Sequence, residues 1–202
     1  MDGAARAFAV AARTVPVDQA LGGLAFVYGQ GSVVAGFATD ADLDLICVWD
    51  RAEPPVAAVR PVHLLHTGTP PPAQFDRPGF ALDQFWFGRQ QVDVAHVSRT
   101  IFDGWLASVA AGGGWEGRSY PQLLAAVSGF AYGVLLADGT GGGAEARAWG
   151  KIATQALATR SREHLAAHRS AYAEALAGCA DRGDGWLFHE ILGDALRPAL
   201  SS

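Results

Sequence analysis

Lysine is almost absent from this 202-residue chain: of fifteen basic residues, Lys151 is the single lysine and the rest are arginine. Charge of either sign is sparse, at 17% of residues with a net charge of −5 at pH 7. A surface built for nucleic-acid phosphates carries a basic excess, so this balance argues against long polynucleotides as partners. Cysteine is reduced to Cys47 and Cys179. That excludes a disulfide scaffold and predicts free thiols in a reducing cytoplasm. Long apolar runs are missing as well. Phe8–Ala12, the run nearest the N-terminus, is too short for a signal core or a membrane span. The chain therefore reads as cytoplasmic, with no membrane part. Half of its residues are hydrophobic, which is a globular composition. The length suits one medium domain or two small ones.

What is present concentrates in two places. The first is Phe26-Val27-Tyr28-Gly29-Gln30-Gly31-Ser32, an apolar run ending in a Gly-Ser turn, followed ten residues later by Asp42-Leu43-Asp44-Leu45-Ile46. Side chains two apart on a strand share a face, so Asp42 and Asp44 stand side by side. Carboxylates that close repel unless a cation lies between them. Oxygen-only ligands favour Mg²⁺ or Mn²⁺ over zinc. The Gly-Ser turn offers backbone N–H groups and a hydroxyl to phosphate oxygens. The second place is Gln90–Val97, a β-branched run around Asp93, whose ionised form there is costly without a partner. A strand holding Asp93 beside the one holding Asp44 gathers three acids, enough to clamp two metal ions for displacement at phosphorus.

Gly31-Ser32, Gly36, Asp42, Asp44 and Asp93 together resemble the pattern of the nucleotidyltransferase superfamily, which includes DNA polymerase β and the small-molecule antibiotic nucleotidyltransferases. Ala41 stands where a serine is common in that pattern. The match covers roughly residues 20–98. The resemblance implies an α+β fold: a polymerase β-like mixed sheet with helices as catalytic domain over 1–99, then an all-helical domain over 100–202, with the site between them. It also implies Mg²⁺ (or Mn²⁺) held by Asp42, Asp44 and Asp93, phosphates on Gly31 and Ser32, and transfer of a nucleoside monophosphate from an NTP, ATP by default. The acceptor it implies is a hydroxylated small molecule, aminoglycoside- or lincosamide-like, and it allows a homodimer. Transfer to a protein or RNA partner of an antitoxin type, or a silent nucleotide-binding module, are the rival expectations.

Several residues carry two readings. Lys151 is either a triphosphate contact, where a compact ammonium serves better than a guanidinium, or a chance surface lysine in an arginine-biased sequence. The base that deprotonates the acceptor is either Asp93 or a glutamate among Glu116, Glu145, Glu163 and Glu190. His63, His66 and His96 read as core or surface histidines rather than ligands. His164 and His168, four apart, read as a surface face, and Asp40 as a turn former.

Along the chain the pattern predicts a helix over 2–20 broken at Pro16 and strands at 24–28, 43–49, 62–66, 81–87 and 90–97. The last two form a hairpin about Gly88-Arg89. Helices are expected at 100–111, 120–136, 144–158, 160–179 and 186–196, with Gly112–Gly114 and Gly139–Gly143 as connectors.

Overall fold

The computed structural model describes residues 3–36, 38, 41–60, 62–67, 71–111, 123–185 and 187. Helix α1 (Gly3–Ala20) leads into β1 (Leu24–Gln30), the short α2 (Gly31–Val34) and β2 (Leu43–Trp49). A 3-10 turn at Ala57–Val59 and α3 (Val62–Leu65) precede three strands, β3 (Ala73–Arg77), β4 (Phe80–Phe87) and β5 (Gln90–Ser98). Then come α4 (Arg99–Ala110), α5 (Leu123–Tyr132), β6 (Val134–Asp138) and the long α6 (Gly142–Arg182). The six strands form one mixed sheet in the order β3-β4-β5-β2-β1-β6. β2 and β5 run parallel, and every other neighbouring pair is antiparallel.

The central strands β1 and β2 are buried on both faces, which is why they read as nearly unbroken apolar runs. On one face Ala7, Val10, Ala11 and Val15 of α1 pack with Val33, Val62 and Leu65 on Leu43, Leu45, Cys47 and Val94. On the other, α4, α5 and α6 bring Phe102, Leu106, Val127, Phe130 and Ala146 onto Phe26, Tyr28, Ile46, Val48 and Val97. The rings of Phe26, Tyr28, Phe102 and Phe130 meet at centroid distances of 4.8 to 6.3 Å. Each such ring buried contributes roughly 1.5–3 kcal/mol.

Four expectations are corrected. Helix α1 runs through Pro16 without a break. Its buried residues (Ala7, Val10, Ala11, Thr14, Val15 and Asp18) keep helical spacing on one face. Pro16 and Ala12, whose carbonyl loses its donor, are both exposed, so water replaces the missing bond. Residues 62–65 form a helix rather than a strand, because Val62 and Leu65 both bury in the same cluster and a strand would send them to opposite faces. The second half of the chain is not all helical, since β6 lies within the sheet against β1. Gly133 ends α5 where a Cβ would strike the carbonyl oxygens of Gly129 and Gly29 at 2.3 Å. Leu135 and Leu136 then divide between the two cores. Finally, residues 144–158 and 160–179 belong to one continuous α6. Its start is capped by Asp138, which accepts from the N–H groups of Gly143 and Ala144 at 3.1 and 3.2 Å.

The hairpin about Gly88-Arg89 forms as expected, as does α4, capped by the Ser98 hydroxyl. Gly112–Gly114, the first turn expected at 120 and the helix expected over 186–196 lie outside the described residues.

Beneath α1 and α3 the sheet carries a buried polar network. Arg60 donates through Nε to both oxygens of Asp83 at 3.0 and 2.9 Å. His96 Nδ1 accepts from Trp49 Nε1 at 3.3 Å. Indole nitrogen can only donate, so the neutral imidazole carries its proton on Nε2, which faces Asp83 Oδ2 at 3.2 Å. Burial works to raise the Asp83 carboxyl, but the bonds from His96 and Arg60 prevail and hold it below the ordinary range. His96 is thus a satisfied core histidine. Asp18 borders this network from α1. Its Oδ2 faces Cys47 Sγ at 3.9 Å and its Oδ1 has no partner. Both thiols, Cys47 and Cys179, are free and buried.

Candidate active site

The site follows from strand register. β1 sets Gln30 opposite Asp44, β2 sets Asp44 opposite Asp93, and β4 sets Gln84 opposite Asp93. Register partners in neighbouring strands share a face. Gln30, Asp44, Asp93 and Gln84 therefore form one polar row across four strands, on the face covered by α4, α5 and α6. Asp42 stands just ahead of β2 and completes the group. One carboxylate oxygen from each of Asp42, Asp44 and Asp93 falls within 4.8 Å of the others. Asp42 is exposed, Asp44 half-buried and Asp93 8% exposed.

Each acid is held differently. Asp93 accepts from Gln84 Nε2 at 2.8 Å and from Gln91 Nε2 at 3.3 Å, so two neutral amides orient it without cancelling its charge. Asp44 has its carboxyl pushed up to about 7, first by burial and then by the charges of Asp42 and Asp93. The backbone before Asp42 is tied down by Gln90, whose Nε2 donates to the Ala41 carbonyl at 2.7 Å. Arg6 Nη1 donates to Gln90 Oε1 at 3.1 Å. Three acids gathered with no cationic side chain bonded to them among the described residues fit a divalent cation with oxygen ligands.

Gly31 packs directly on Asp44. Its φ is +84°, and a Cβ there would lie 2.2 Å from Asp44 Oδ2. Only glycine lets the turn close over the carboxylate. Gly31 and Ser32 are exposed at the start of α2, so the expected phosphate turn lies beside the acids. Lys151 is exposed on α6 and makes no contact with the acids. Its helix does run toward them. Arg147, one turn earlier, donates to the carbonyls of Ala131 and Gly133, and Gly133 abuts Gly29 near the acid end of β1.

Among the glutamates considered as base, Glu145 sits in the first turn of α6, next to Asp138 and toward the other end of the sheet. Glu163 is exposed farther along that helix. Glu116, Glu190 and Asp40 lie outside the described residues, as do the side chains of His63 and His164. Sequence reasoning missed the glutamines. Gln84 was within reach: a two-residue turn at Gly88-Arg89 fixes every pair on the hairpin, and it sets 84 against 93. Gln91, two residues before Asp93 on the same strand, shares its face by the same alternation.

No family model matches the sequence, and neither does any curated protein. Among solved structures the chain is similar to a nucleotidyltransferase-like protein from Exiguobacterium sibiricum 255-15, with a TM-score of 0.42 and 12% identity. The likeness covers 93% of this chain and 53% of that one, so the chain spans about half the length of that neighbour. Likeness at that level carries no activity across, and the functional reading rests on the geometry of the acids.

Proposed function

We propose that the protein is a Mg²⁺- or Mn²⁺-dependent nucleotidyltransferase. It moves a nucleoside monophosphate from a triphosphate, ATP by default, to an acceptor hydroxyl and releases pyrophosphate. The observation that carries this reading is the in-register pairing of Asp44 with Asp93, joined by Asp42, with the Gly31 turn seated on Asp44.

In this reading Asp42, Asp44 and Asp93 hold the metal, which when bound neutralises charge on the entering and leaving oxygens. Gly31 and Ser32 receive the phosphates through backbone N–H groups and the Ser32 hydroxyl. Lys151 approaches the outer phosphates as a point charge from α6. The acceptor oxygen bonds to the α-phosphorus as the bond to the α–β bridging oxygen breaks, and pyrophosphate leaves with that electron pair. The hydroxyl proton passes to Asp93, the acid whose orientation Gln84 and Gln91 fix. The reaction is placed in the cytoplasm.

The test is incubation of the protein with Mg²⁺, α-labelled ATP and pooled hydroxylated small molecules, followed by separation of labelled products. The proposal expects a labelled adduct that Asp42→Asn and Asp44→Asn each abolish while folding is retained. Equal labelling by wild type and both variants overturns it. Label on a co-purified protein or RNA would redirect the acceptor assignment to a macromolecule.

A further inference from the structure

A cavity of about 540 Å³ opens beside Asp42 at the β4–β5 hairpin, a volume suited to a small-molecule ligand. Its walls include Arg6, Trp86, Phe87, Arg89 and Gln91. Two features of this lining point to a ligand class. The first is charge: two guanidinium groups face a single carboxylate, Asp42, which the proposed metal site already uses. Arg89 is exposed at the turn and makes no hydrogen bond or ion pair among the described residues, so its fork is available to an anion. The second is shape: Trp86 and Phe87 present aromatic rings, and rings favour flat partners.

The cavity also has a side. The sheet order places β4 and β5 on one flank of Asp44 and β1 on the other. Gly31 and Ser32 follow β1 directly, so the phosphate turn and the cavity lie on opposite flanks of the acids. Displacement at phosphorus requires the entering and leaving oxygens roughly in line. With pyrophosphate leaving on the Gly31 flank, the attacking hydroxyl comes from the cavity flank. Gln91 reaches both places, since it lines the cavity and donates to Asp93.

We infer that this cavity is the acceptor pocket, and that the acceptor is a planar hydroxylated anion, a ring bearing a carboxylate or phosphate, rather than a polycation. The inference rests on the nucleotidyltransferase reading and corrects the aminoglycoside-like acceptor that the sequence resemblance implies. A polyamine-bearing sugar would meet two arginines where it needs carboxylates. The atoms balance as in any adenylyl transfer: the ring hydroxyl gains the adenylyl group, its proton goes to Asp93, and pyrophosphate departs.

The test compares 3-hydroxybenzoate, a nucleoside monophosphate and kanamycin as acceptors, with MgATP, in wild type, Arg89→Ala, Arg6→Ala and Asp44→Asn. Pyrophosphate release is read in each case, and binding of 3-hydroxybenzoate is followed by calorimetry. The expected result is Asp44-dependent release with one of the anions. In Arg89→Ala the anion's KM should rise roughly tenfold, the loss of one charge-assisted hydrogen bond, with the KM for ATP unchanged. Release with kanamycin alone overturns the inference and leaves the nucleotidyltransferase reading standing. So does an Arg89→Ala effect on the KM for ATP and not on that of the anion. Absence of Asp44-dependent release with every acceptor removes the acceptor role, and calorimetry then shows whether an Arg89-dependent anion site persists without it.

Discussion

Replacing Gly31 by alanine isolates how closely the phosphate turn is fitted to the acids. Two penalties are expected, and a second glycine separates them. At Gly31 the backbone has φ +84° and an added Cβ meets Asp44 Oδ2 at 2.2 Å, whereas Gly36 has φ +80° and nothing within 4 Å. Both alanine variants incur the left-handed penalty of about 1–2 kcal/mol. In a chain of this size that lowers Tm by roughly 2–8 °C. Only at Gly31 must the Asp44 carboxylate move, by about 1 Å to reach ordinary contact. A carboxylate end can swing aside at little cost in stability, but a misplacement of roughly 1 Å in a reacting constellation costs on the order of 10²-fold in rate. Thermal unfolding in chelator and adenylyl transfer in Mg²⁺ are the paired assays. Similar melting losses with a rate loss confined to Gly31→Ala support the argument. Equal rate losses in both variants, or a Gly31→Ala enzyme as fast as wild type, would refute it.

Three further outcomes follow from other parts of the molecule. Lys151→Ala should weaken MgATP binding more than AMP binding, with Lys151→Arg recovering only part, and an unchanged ATP-to-AMP ratio of dissociation constants in all three proteins makes it a surface lysine. Asp18 is pushed up to about 6, chiefly by burial, with Asp83 adding to the rise and His96 opposing it. The native state therefore holds its proton more tightly than the unfolded chain, and stability falls as pH rises from about 4 through 6, by up to about 3 kcal/mol. Asp18→Asn should remove most of that slope in urea unfolding at pH 4.5 and 8, and an undiminished slope assigns it to other groups. Asp83→Ala leaves Arg60 buried without its main partner and should cost roughly 3–5 kcal/mol, whereas a loss under 1 kcal/mol in the same assay means the network is not a stabilising unit.

The catalytic half of the fold was legible because its signals are local. The apolar runs of β1 and β2 and the Gly88-Arg89 turn declare strands and a hairpin without reference to anything distant. Asp42 and Asp44 declare themselves by spacing alone. Asp93 joins them only if β5 lies beside β2 in parallel, a pairing that no short-range pattern encodes and that the residues around Asp93 merely permitted. The failures are tertiary. Leu135-Leu136 is apolar enough for a buried helix or a buried strand, and the choice was made by Gly133 against the Gly29 and Gly129 carbonyls. Val62 and Leu65 are helical because one cluster receives both. The glutamines that orient Asp93 were invisible as chemistry, since Gln84 and Gln91 acquire a role only from the register that brings them there.

Calorimetric titration of ATP tests the central claim most directly, in Mg²⁺ and in chelator, with wild type, Asp44→Asn and Asp93→Asn. The account predicts tight binding only for wild type with metal, because three uncompensated carboxylates otherwise repel the triphosphate. Weakening in chelator and in each variant should be at least about tenfold, equivalent to roughly 1.4 kcal/mol. ATP affinity that is the same with and without metal, and unchanged by either substitution, would contradict a metal-bound nucleotide at these acids.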